Sequence, residues 1–505
     1  MSEETVRTET VSKETVSEET AGAAPEPGGP ADLRSFLRDL AASAPEALIT
    51  VEREVDPVHE LSAVVKALEP HGAPAVRFQR VKGSRMPVVA GLYGTRRRIA
   101  LALGRDVREV VDFAVSSIRH PLPARPVDAA PVQEVVERGD AVDLTTLPFG
   151  VHSRDDAGRY ITSGVTLARD PATGKINTGM YRMMVLDRDH ITVNAAPDHD
   201  LGRMITAAAE RGEDVPIAIV IGHHPAYAIA SQLKHPTDVD SHEVAGALLG
   251  RPLDVVRGVS VDLEVPAYAE IVLEGVIEAR DVVREGPFGE FTYYYGAARA
   301  PQCRITAVTH RADALFNDLH PTHAEHRCLW LFPGREARLL EAVRASVPTV
   351  RDVRIPFHGG SLSAYISIEK RHEADGRQAL LAAFARDHFL KHVVVVDPDV
   401  DVFDDREVLW ALNVRFQADR DLVRLDHAKG IKMDPSAKRL GSADRPDVVT
   451  AKLGFDATKP VTGPFPERAD LAPPGFDHLD LTEYVDPATW DRIGSFARLA
   501  EAMSE

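Results

Sequence analysis

The sequence predicts a multidomain α+β protein, in which a strand-rich middle region lies between two regions that mix helices and strands. Three observations support this prediction. The chain has 505 residues, too many for one ordinary hydrophobic core and enough for two or three domains. Short strand-like segments dominate residues 131–325. Helical and strand patterns then alternate through much of the last third, as they do in βαβ units.

The composition is that of a globular protein and excludes several classes. Hydrophobic residues make up 44% of the chain and charged residues 27%. The net charge of −18 argues against a nucleic-acid-binding surface. Cys303 and Cys328 are the only cysteines, so there is no disulfide framework, as is typical of a reducing compartment. No apolar run reaches the ~18 residues of a membrane helix. We therefore expect a cytoplasmic protein that binds no membrane.

The first part of the chain divides into a tail and a domain. Residues 1–30 repeat Glu-Thr-Val every five residues and predict a disordered tail. Residues 31–130 predict an α/β domain, whose first helix begins after Asp32 as its N-cap. The proline-rich stretch 121–126 predicts a linker at the end of this domain.

The middle region, residues 131–325, predicts mainly strands, and the region 326–475 predicts an α/β domain followed by a helical tail at 476–505. In the middle we predict strands at Ile161–Arg169, Tyr181–Leu186, Val215–Ile221, Ala269–Glu278 and Cys303–His310, and a helix at Leu201–Arg211. In the last region we predict helices at Glu336–Ser346, Gly376–His388 and Arg406–Phe416, and strands at Leu362–Ile368 and Val393–Asp397.

The most informative motif is the heptapeptide Arg284-Glu-Gly-Pro-Phe-Gly-Glu290. Glu285 and Glu290 lie on either side of Gly-Pro-Phe-Gly, which forbids a helix and predicts a tight turn. Such a turn can aim both carboxylates at one point. Paired carboxylates in unequal surroundings supply one acid and one base at neutral pH. Taken alone, the spacing fits a solvated acidic loop equally well.

A second set of residues combines ligand types suited to a divalent cation. Asn177, His199 and Glu243 offer an amide oxygen, an imidazole and a carboxylate, and phosphate oxygens can complete an octahedral site. Arg182 follows Asn177 by five residues and can hold a carboxylate with its fork. Each residue alone is also compatible with a purely structural role.

A histidine cluster gives a weaker signal. His320, His323 and His326 recur every three residues, and on a helix they would spread over roughly 120°. Pro321 also disfavours a regular helix. The pattern therefore favours a loop that lines a cavity over a zinc triad, although the triad stays open as an alternative.

The acidic run Asp397-Pro-Asp399-Val-Asp401 has the spacing of the start of a calcium loop. Val402 and Val408 stand where such a loop needs glycine and glutamate. The favoured interpretation is a strand end that leads into a helix N-terminus, where acidic residues suit the helix dipole.

In combination, these motifs strongly resemble the UbiD family of reversible decarboxylases, from about residue 32 to beyond 480. The matching segments are Asn177-x-x-x-x-Arg182, Pro197-Asp-His199, Glu243-x-x-Gly246, Glu285-Gly-Pro-Phe-Gly-Glu290, and Val394-Val-Val-Asp397-x-Asp399-Val-Asp401 followed by Val408-Leu-Trp-Ala411. The resemblance implies an N-terminal α/β domain, a central split β-barrel that binds flavin, and a C-terminal α/β domain for homo-oligomerisation as a dimer or larger assembly.

The resemblance also implies the cofactors. Members of the family use prenylated FMN, which a partner flavin prenyltransferase makes. By similarity, Asn177, His199 and Glu243 hold a divalent ion, usually Mn²⁺, which clamps the cofactor phosphate. A K⁺ ion is expected nearby, at Ser231 and Glu243. Asp198 and Arg182 complete the cofactor-binding residues.

The implied reaction is the reversible, non-oxidative decarboxylation of an α,β-unsaturated, aromatic or heteroaromatic acid through a covalent adduct with prenylated FMN. The flavin is the electron sink. Arg182 would hold the substrate carboxylate or a neighbouring glutamate. Glu290 would deliver the proton, and Glu285 would tune it together with Arg182.

The resemblance further places part of the substrate pocket, and two alternatives remain open. The pocket residues expected from relatives are His326, His388, Ile431 and Met433. The first alternative is an inactive flavin-binding scaffold. The second is a metal-dependent hydrolase that uses the histidine cluster at 320–326.

Overall fold

The structure is a computed structural model that describes residues 29–441, 446–469, 483–486 and 488–489. Nearly all of the predicted N-terminal tail and most of the predicted C-terminal helical tail lie outside the described residues. Among the residues described, no helix is both long enough and apolar enough to cross a membrane.

The N-terminal region begins with the predicted helix. The Asp32 carboxylate accepts the Ser35 N–H at 2.8 Å, and the Ser35 hydroxyl accepts the Asp32 N–H at 3.0 Å. This reciprocal cap satisfies two backbone donors at the helix start and confirms the predicted N-cap. The elements are helices α1 (Leu33–Ser43), α2 (Glu60–Leu68), α3 (Arg96–Leu103) and α4 (Val110–Arg119), and strands β1 (Leu48–Val51), β2 (Ala75–Phe78) and β3 (Val88–Ala90).

The central region is strand-rich, as predicted. Its helices are α5 (Asp200–Arg211), α6 (Pro225–Gln232) and α7 (Ser241–Leu249). Its strands are β4 (Arg125–Pro126), β5 (Val135–Arg138), β6 (Tyr160–Ile161), β7 (Val165–Arg169), β8 (Ile176–Met180), β9 (Met183–Met184), β10 (His190–Thr192), β11 (Val215–Ile221), β12 (Asp254–Arg257), β13 (Glu264–Pro266), β14 (Ile271–Gly289), β15 (Tyr295–His310) and β16 (Phe316–Asn317).

Seven of these strands form one sheet in the order β10-β15-β14-β11-β7-β8, with β5 also paired to β15. Among the strands described, β8 and β10 lie at opposite ends of this order, and no pairing closes the sheet into a barrel. β16 leaves the central region and runs parallel to β3, so that the N-terminal sheet has the order β1-β2-β3-β16. The central region therefore completes the N-terminal sheet.

Four of the five central strand predictions and the predicted tight turn need correction. The segment Ile161–Arg169 is divided between β6 and β7, and β15 begins at Tyr295 rather than at Cys303. β11 matches its prediction, whereas the segment Tyr181–Leu186 contributes only the short strand β9. β14 extends the strand predicted at Ala269–Glu278 as far as Gly289. The segment predicted as a tight turn is therefore the end of a long strand. The chain turns later, where the Glu290 N–H donates to the Tyr294 carbonyl at 2.9 Å.

A β-bulge explains why glycine and proline do not end β14. Glu285 pairs with Ala298 and Phe288 with Gly296, so three steps on β14 face two on β15. Side chains five residues apart would point to opposite faces of a regular strand. The extra residue of the bulge brings both side chains to the same side, where Glu285 and Glu290 both contact Arg182.

The C-terminal region is an α/β unit, as predicted, with element ends shifted by one or two residues at most positions. A six-stranded sheet has the order β17-β18-β19-β22-β20, with β21 also paired to β22, and the pair β18–β19 is parallel across α10. The elements are α8 (Ala324–Trp330), α9 (Glu336–Ser346), α10 (Asp375–Arg386) and α11 (Asp405–Val414), and β17 (Val350–Arg354), β18 (Ser363–Ile368), β19 (His392–Val396), β20 (Leu422–Lys429), β21 (Lys438–Gly441) and β22 (Pro446–Ala457).

The acidic run after β19 forms ion pairs. Arg415 donates to Asp397 at 3.0 Å and to Asp399 at 2.7 Å. The Lys459 ammonium lies 3.2 Å from Asp399, and Asp401 pairs with Arg108 at 2.8 Å. Cations already neutralise these carboxylates, which agrees with a strand end rather than a calcium loop.

Candidate active site

A cavity of about 440 Å³ lies between the central sheet and the C-terminal region. Apolar and aromatic side chains share its wall with several charged groups, the usual character of a small-molecule site. Eight of the twelve predicted site residues line it: Arg182, Asp198, His199, Ser231, Glu290, His326, His388 and Met433.

Arg182 holds both glutamates of the bulged strand. Its guanidinium donates to the two oxygens of Glu285 at 3.0 Å and 2.6 Å, and its Nη1 donates to Glu290. The Glu285 side chain is 0% exposed, whereas that of Glu290 is 15% exposed and faces the cavity. Burial opposes the charge of Arg182, but Glu290 and Glu285 raise its pKa above the usual value. The guanidinium is therefore a fixed cation between two unequal carboxylates.

The buried carboxylate has further partners. The Asn194 amide donates to Glu285 at 2.8 Å, while the Asn194 backbone N–H donates to the Arg182 carbonyl at 3.2 Å. The Phe288 ring lies 4.9 Å from the Arg182 guanidinium. Burial and the nearby Glu285 raise the pKa of Tyr160. These contacts hold Glu285 in place behind Arg182 and leave Glu290 as the carboxylate that a ligand can reach.

His199 and Ser231 stand at another part of the wall. His199 is the N-cap of α5, and burial and then Lys234 lower its pKa, so its imidazole is neutral at pH 7 and able to act as a ligand. The buried Ser231 hydroxyl donates to the Ala228 carbonyl at 2.7 Å.

Asn177 and Glu243 lie along a seam between β8 and α7 rather than among the residues that line the cavity. The Ile176 and Thr178 N–H groups donate to Asp240 and Ser241 at 2.9 Å and 3.0 Å, so the start of α7 covers the free edge of β8. The Glu243 carboxylate lies 3.5 Å from the Lys175 ammonium. The metal set of Asn177, His199 and Glu243 stays a prediction.

Two aromatic rings and an arginine in the cavity wall were missed from the sequence. The Arg335 guanidinium lies 4.6 Å from the Trp330 ring and 4.9 Å from the Phe389 ring, and it pairs with Asp387 at 2.8 Å. Trp330 lies four residues after His326, and Phe389 directly follows His388. Both histidines were expected in the pocket, and this proximity was the available sequence signal. The wall suits a flat, unsaturated ligand.

A break in the helix creates this wall. Phe332 has non-helical backbone angles between α8 and α9, so Trp330 and Arg335 both face the cavity. Gly334 is required here because a Cβ would lie 2.6 Å from the Gln232 carbonyl at the end of α6. The sequence shows Pro333-Gly334 but not which backbone approaches it.

Arg338 leaves a donor without a partner. Its Nε is buried and has no hydrogen-bond partner among the residues described. Burial and then Arg386 lower its pKa, and Arg386 and Lys432 stand at the same cavity. A buried donor without an acceptor is costly, so this end of the cavity fits an anionic group.

The predicted histidine cluster divides into two. His326 lines the cavity, and burial and then Arg327 lower its pKa to about 4. His320 and His323 stack on each other with ring centroids 4.7 Å apart, and both are buried behind the wall. The expectation of a histidine loop that lines a cavity is therefore met by His326 but not by His320 or His323. In the described chain the three histidines do not come together as one metal group, so the zinc triad that the hydrolase alternative needs at 320–326 is not formed.

Ile431 is buried and does not line the cavity, whereas its neighbours Lys432 and Met433 do. Because neighbouring residues of an irregular segment point in different directions, the sequence could indicate the segment but not the side chain. Glu285 is likewise absent from the lining because Arg182 stands in front of it.

Comparison with known families gives matches along most of the chain. Three models of 3-octaprenyl-4-hydroxybenzoate carboxy-lyase (UbiD) match: its N-terminal domain at residues 42–118, its Rift-related domain at 125–323 and its C-terminal domain at 330–457.

Individual relatives are similar over nearly their whole length. The anhydromevalonate phosphate decarboxylase of Methanothermobacter thermautotrophicus is 39% identical over 85% of this chain and 97% of its own. The phenolic acid decarboxylase of a Streptomyces species is 32% identical over 90% of this chain and 97% of its own.

A solved structure has the same fold. The structure of the UbiD-class enzyme HmfF from Pelotomaculum thermopropionicum in complex with FMN is 40% identical, with a TM-score of 0.84 over 90% of this chain and 100% of that one. An evolved dimeric form of HmfF in complex with prFMN is 38% identical with a TM-score of 0.81, over the same shares of the two chains.

Proposed function

The chain belongs to the UbiD family and is a decarboxylase of that family, and from this premise we propose the chemistry of its site. We propose that it catalyses the reversible, non-oxidative decarboxylation of an α,β-unsaturated, aromatic or heteroaromatic acid with prenylated FMN. The observation that carries the proposal is the single guanidinium of Arg182, shared by a buried Glu285 and a cavity-facing Glu290.

The residues of the cavity fit the cofactor. The rings of Trp330 and Phe389 offer flat apolar contacts, and the unpaired Arg338 Nε offers a donor to an anionic group. When bound, the modified flavin supplies the electron sink for the carbon that loses CO₂, which no side chain of this site can supply.

The phosphate clamp belongs to the same proposal. His199, Asn177 and Glu243 would hold Mn²⁺, with Glu243 released from Lys175, and Ser231 would stand beside K⁺. Residues 131–325 would be the flavin-binding domain, with its open seven-stranded sheet as the core of the expected split barrel.

The chain's own residues orient the substrate and move one proton. Arg182 offers a planar fork that fits a substrate carboxylate, and Glu285 keeps that fork in place. Glu290 accepts from Arg182 through Oε1, so we assign the transferred proton to Oε2. After CO₂ leaves, that proton passes to the carbon that carried the carboxylate, and in carboxylation Glu290 takes it back.

The network also has unequal charge. Two carboxylates face one guanidinium, so the ionised group has one negative charge more than it has positive charges. The scaffold alternative offers no explanation for an intact network at a cavity.

The deciding experiment is co-expression with a flavin prenyltransferase, followed by a screen of unsaturated and aromatic acids for CO₂ release. We expect activity only in the co-expressed protein, which should also show the ultraviolet–visible spectrum of a bound modified flavin. Expression without the prenyltransferase should give folded but inactive protein. Turnover by flavin-free protein would overturn the proposal. Flavin binding without CO₂ release from any acid would support the scaffold instead.

A further inference from the structure

A second group of ligand-type side chains lies behind the cavity wall, away from the flavin residues. His152 Nε2 lies 3.0 Å from Asp318 Oδ1 and 3.1 Å from Asp318 Oδ2. His320 Nε2 lies 3.4 Å from Asp318 Oδ2. One ligand atom from each of the three residues lies within 4.8 Å of the other two. Their side chains are 2%, 3% and 0% exposed, in the order His152, Asp318, His320.

Two distant segments build this group. Asp318 and His320 directly follow β16, and the Asp318 N–H donates to the Val89 carbonyl at 2.9 Å. His152 comes from the loop between β5 and β6. The Thr162 hydroxyl donates to Asp318 at 3.2 Å and orients the carboxylate from the side of the cavity. The sequence signal at His320 was visible, but His152, the third member of the group, is more than 160 residues away.

The spacing fits a metal ion. Two imidazoles and one carboxylate are a common ligand set for Zn²⁺ and similar ions. Ligand atoms bound to zinc at ~2.0–2.2 Å in a tetrahedron lie about 3.3–3.6 Å from each other. Asp318 Oδ2 lies 3.1 Å from His152 Nε2 and 3.4 Å from His320 Nε2, close to that range.

Gly150 leaves open space beside the ligand atoms. A Cβ at this glycine would lie 3.1 Å from His152 Nε2 and 3.4 Å from Asp318 Oδ2. Any larger residue would fill the side from which an ion meets both atoms.

A proton on His152 instead of a metal ion would explain the contact with Asp318 but not the burial of His320. A protonated His152 would satisfy Asp318, and the carboxylate does raise the pKa of His152 against the effect of burial. Both ring nitrogens of His320 would still lack a hydrogen-bond partner among the residues described. A fully buried, unpartnered imidazole is costly, and an ion on Nε2 supplies the missing partner.

We propose that His152, Asp318 and His320 bind one divalent transition-metal ion, with Zn²⁺ as the best match. The site is separate from the predicted flavin-phosphate metal. Its role is to hold the wall of the cavity in place. Thr162 donates to Asp318 and Leu319 directly follows it, and both residues line the cavity. The proposal does not depend on which acid is the substrate.

The test is metal analysis of the purified holoenzyme after removal of loosely bound ions. We expect about one Zn²⁺ per chain in the wild type and in His199→Ala, which disrupts only the phosphate clamp. His320→Asn should lose it. His190→Asn is the matched control, because His190 lies 3.1 Å and 3.0 Å from Asp187 and Asp189 in a similar but more exposed group.

A spectroscopic measurement covers the case in which His320→Asn fails to fold. Wild-type protein grown with Co²⁺ should show visible d–d absorption, and X-ray absorption should show two imidazole nitrogens on the ion. Wild type without such an ion, an unchanged Zn²⁺ content in folded His320→Asn, or loss of the ion in His190→Asn would each overturn the site.

Discussion

Two regions of this molecule each place two carboxylates around one arginine. In the central region Arg182 binds Glu285 and Glu290, and in the C-terminal region Arg415 binds Asp397 and Asp399. Both arginines are largely buried. In the C-terminal region Lys459 adds a second cation at 3.2 Å from Asp399, whereas no second cation pairs with the two glutamates among the described ion pairs.

We interpret this difference as one between a structural cluster and a cluster that is reactive in the proposed function. The C-terminal cluster balances two negative charges with two positive charges and lines neither of the cavities described. The central cluster has one negative charge in excess and opens on a cavity through Glu290. The same side-chain types therefore tie a strand end to a helix in one place and, in the proposed function, supply a proton in the other.

The largest expected effect is on catalysis. Glu290→Gln should lower kcat by about 10²–10⁴-fold, the usual contribution of a general acid, because the amide cannot deliver a proton. Its thermal unfolding should change little, since glutamine keeps the shape of the side chain and an oxygen that can accept from Arg182. CO₂ release by the holoenzyme measures the effect. Asp399→Asn is the matched control, with kcat unchanged. Glu290→Gln with half of the wild-type rate would remove the distinction between the two clusters.

The next largest effect is on stability and falls in the other region. Arg415→Met leaves the buried Asp397 without its guanidinium, and losing one partner of a buried ion pair costs about 3–5 kcal/mol. Urea unfolding measures the loss, and kcat of the folded enzyme should be unchanged. Arg406→Met is the control, because its ion pair with Asp404 is exposed and solvent screens it, so its loss should change stability little. Equal losses in both variants would contradict a structural role for Arg415.

A smaller loss of activity should follow from moving Glu290 without replacing it. A Cβ at Gly296 would lie 2.6 Å from Glu290 Oε1, so Gly296→Ala should displace the carboxylate rather than the backbone. A displacement of about 1 Å can cost about 10²-fold in kcat. Gly158→Ala is the control, because a Cβ there meets no atom within 4 Å. Full activity in Gly296→Ala would show that the position of Glu290 is not critical.

The smallest effect is a pH dependence of the stability that the C-terminal cluster around Arg415 contributes. Hydrogen bonding to Arg415 lowers the pKa of Asp399 to about 2, against 3.8 for an ordinary aspartate. A lowered pKa stabilises the fold above pH 4, and that contribution is lost as the pH falls through 2. The stability difference between wild type and Asp399→Asn should therefore shrink over this range in thermal unfolding. A difference independent of pH would mean that the ionised carboxylate contributes nothing.

The proposed reactive residues stand out in the sequence because each belongs to a short motif. The motifs singled out Arg182, Glu285 and Glu290, and the family resemblance assigned their roles, whereas the cap at Asp32 follows a local rule alone. The bulge that brings the two glutamates to one side was not found. Its register depends on pairing with β15, which a strand pattern does not reveal.

Features built from distant segments could not be predicted. The contact of Arg335 with Phe389 joins residues more than 50 positions apart, and the division of the histidines depends on where β16 enters the N-terminal sheet. Single-sequence patterns describe an element and its faces but not its neighbours. The residues around the cavity were therefore predicted best where one motif supplied them and worst where two segments met.

The entry of β16 into the N-terminal sheet has a consequence for synthesis of the protein. β3 ends at Ala90, but its parallel neighbour begins at Phe316, roughly 230 residues later. At the translation rate of roughly 5–20 residues per second, the edge of β3 waits on the order of 10–45 s for its partner. During that time an unpaired strand edge is exposed, which is a hazard for aggregation. Ribosome pausing or chaperone binding in this interval would therefore determine how much of the nascent enzyme reaches its native fold.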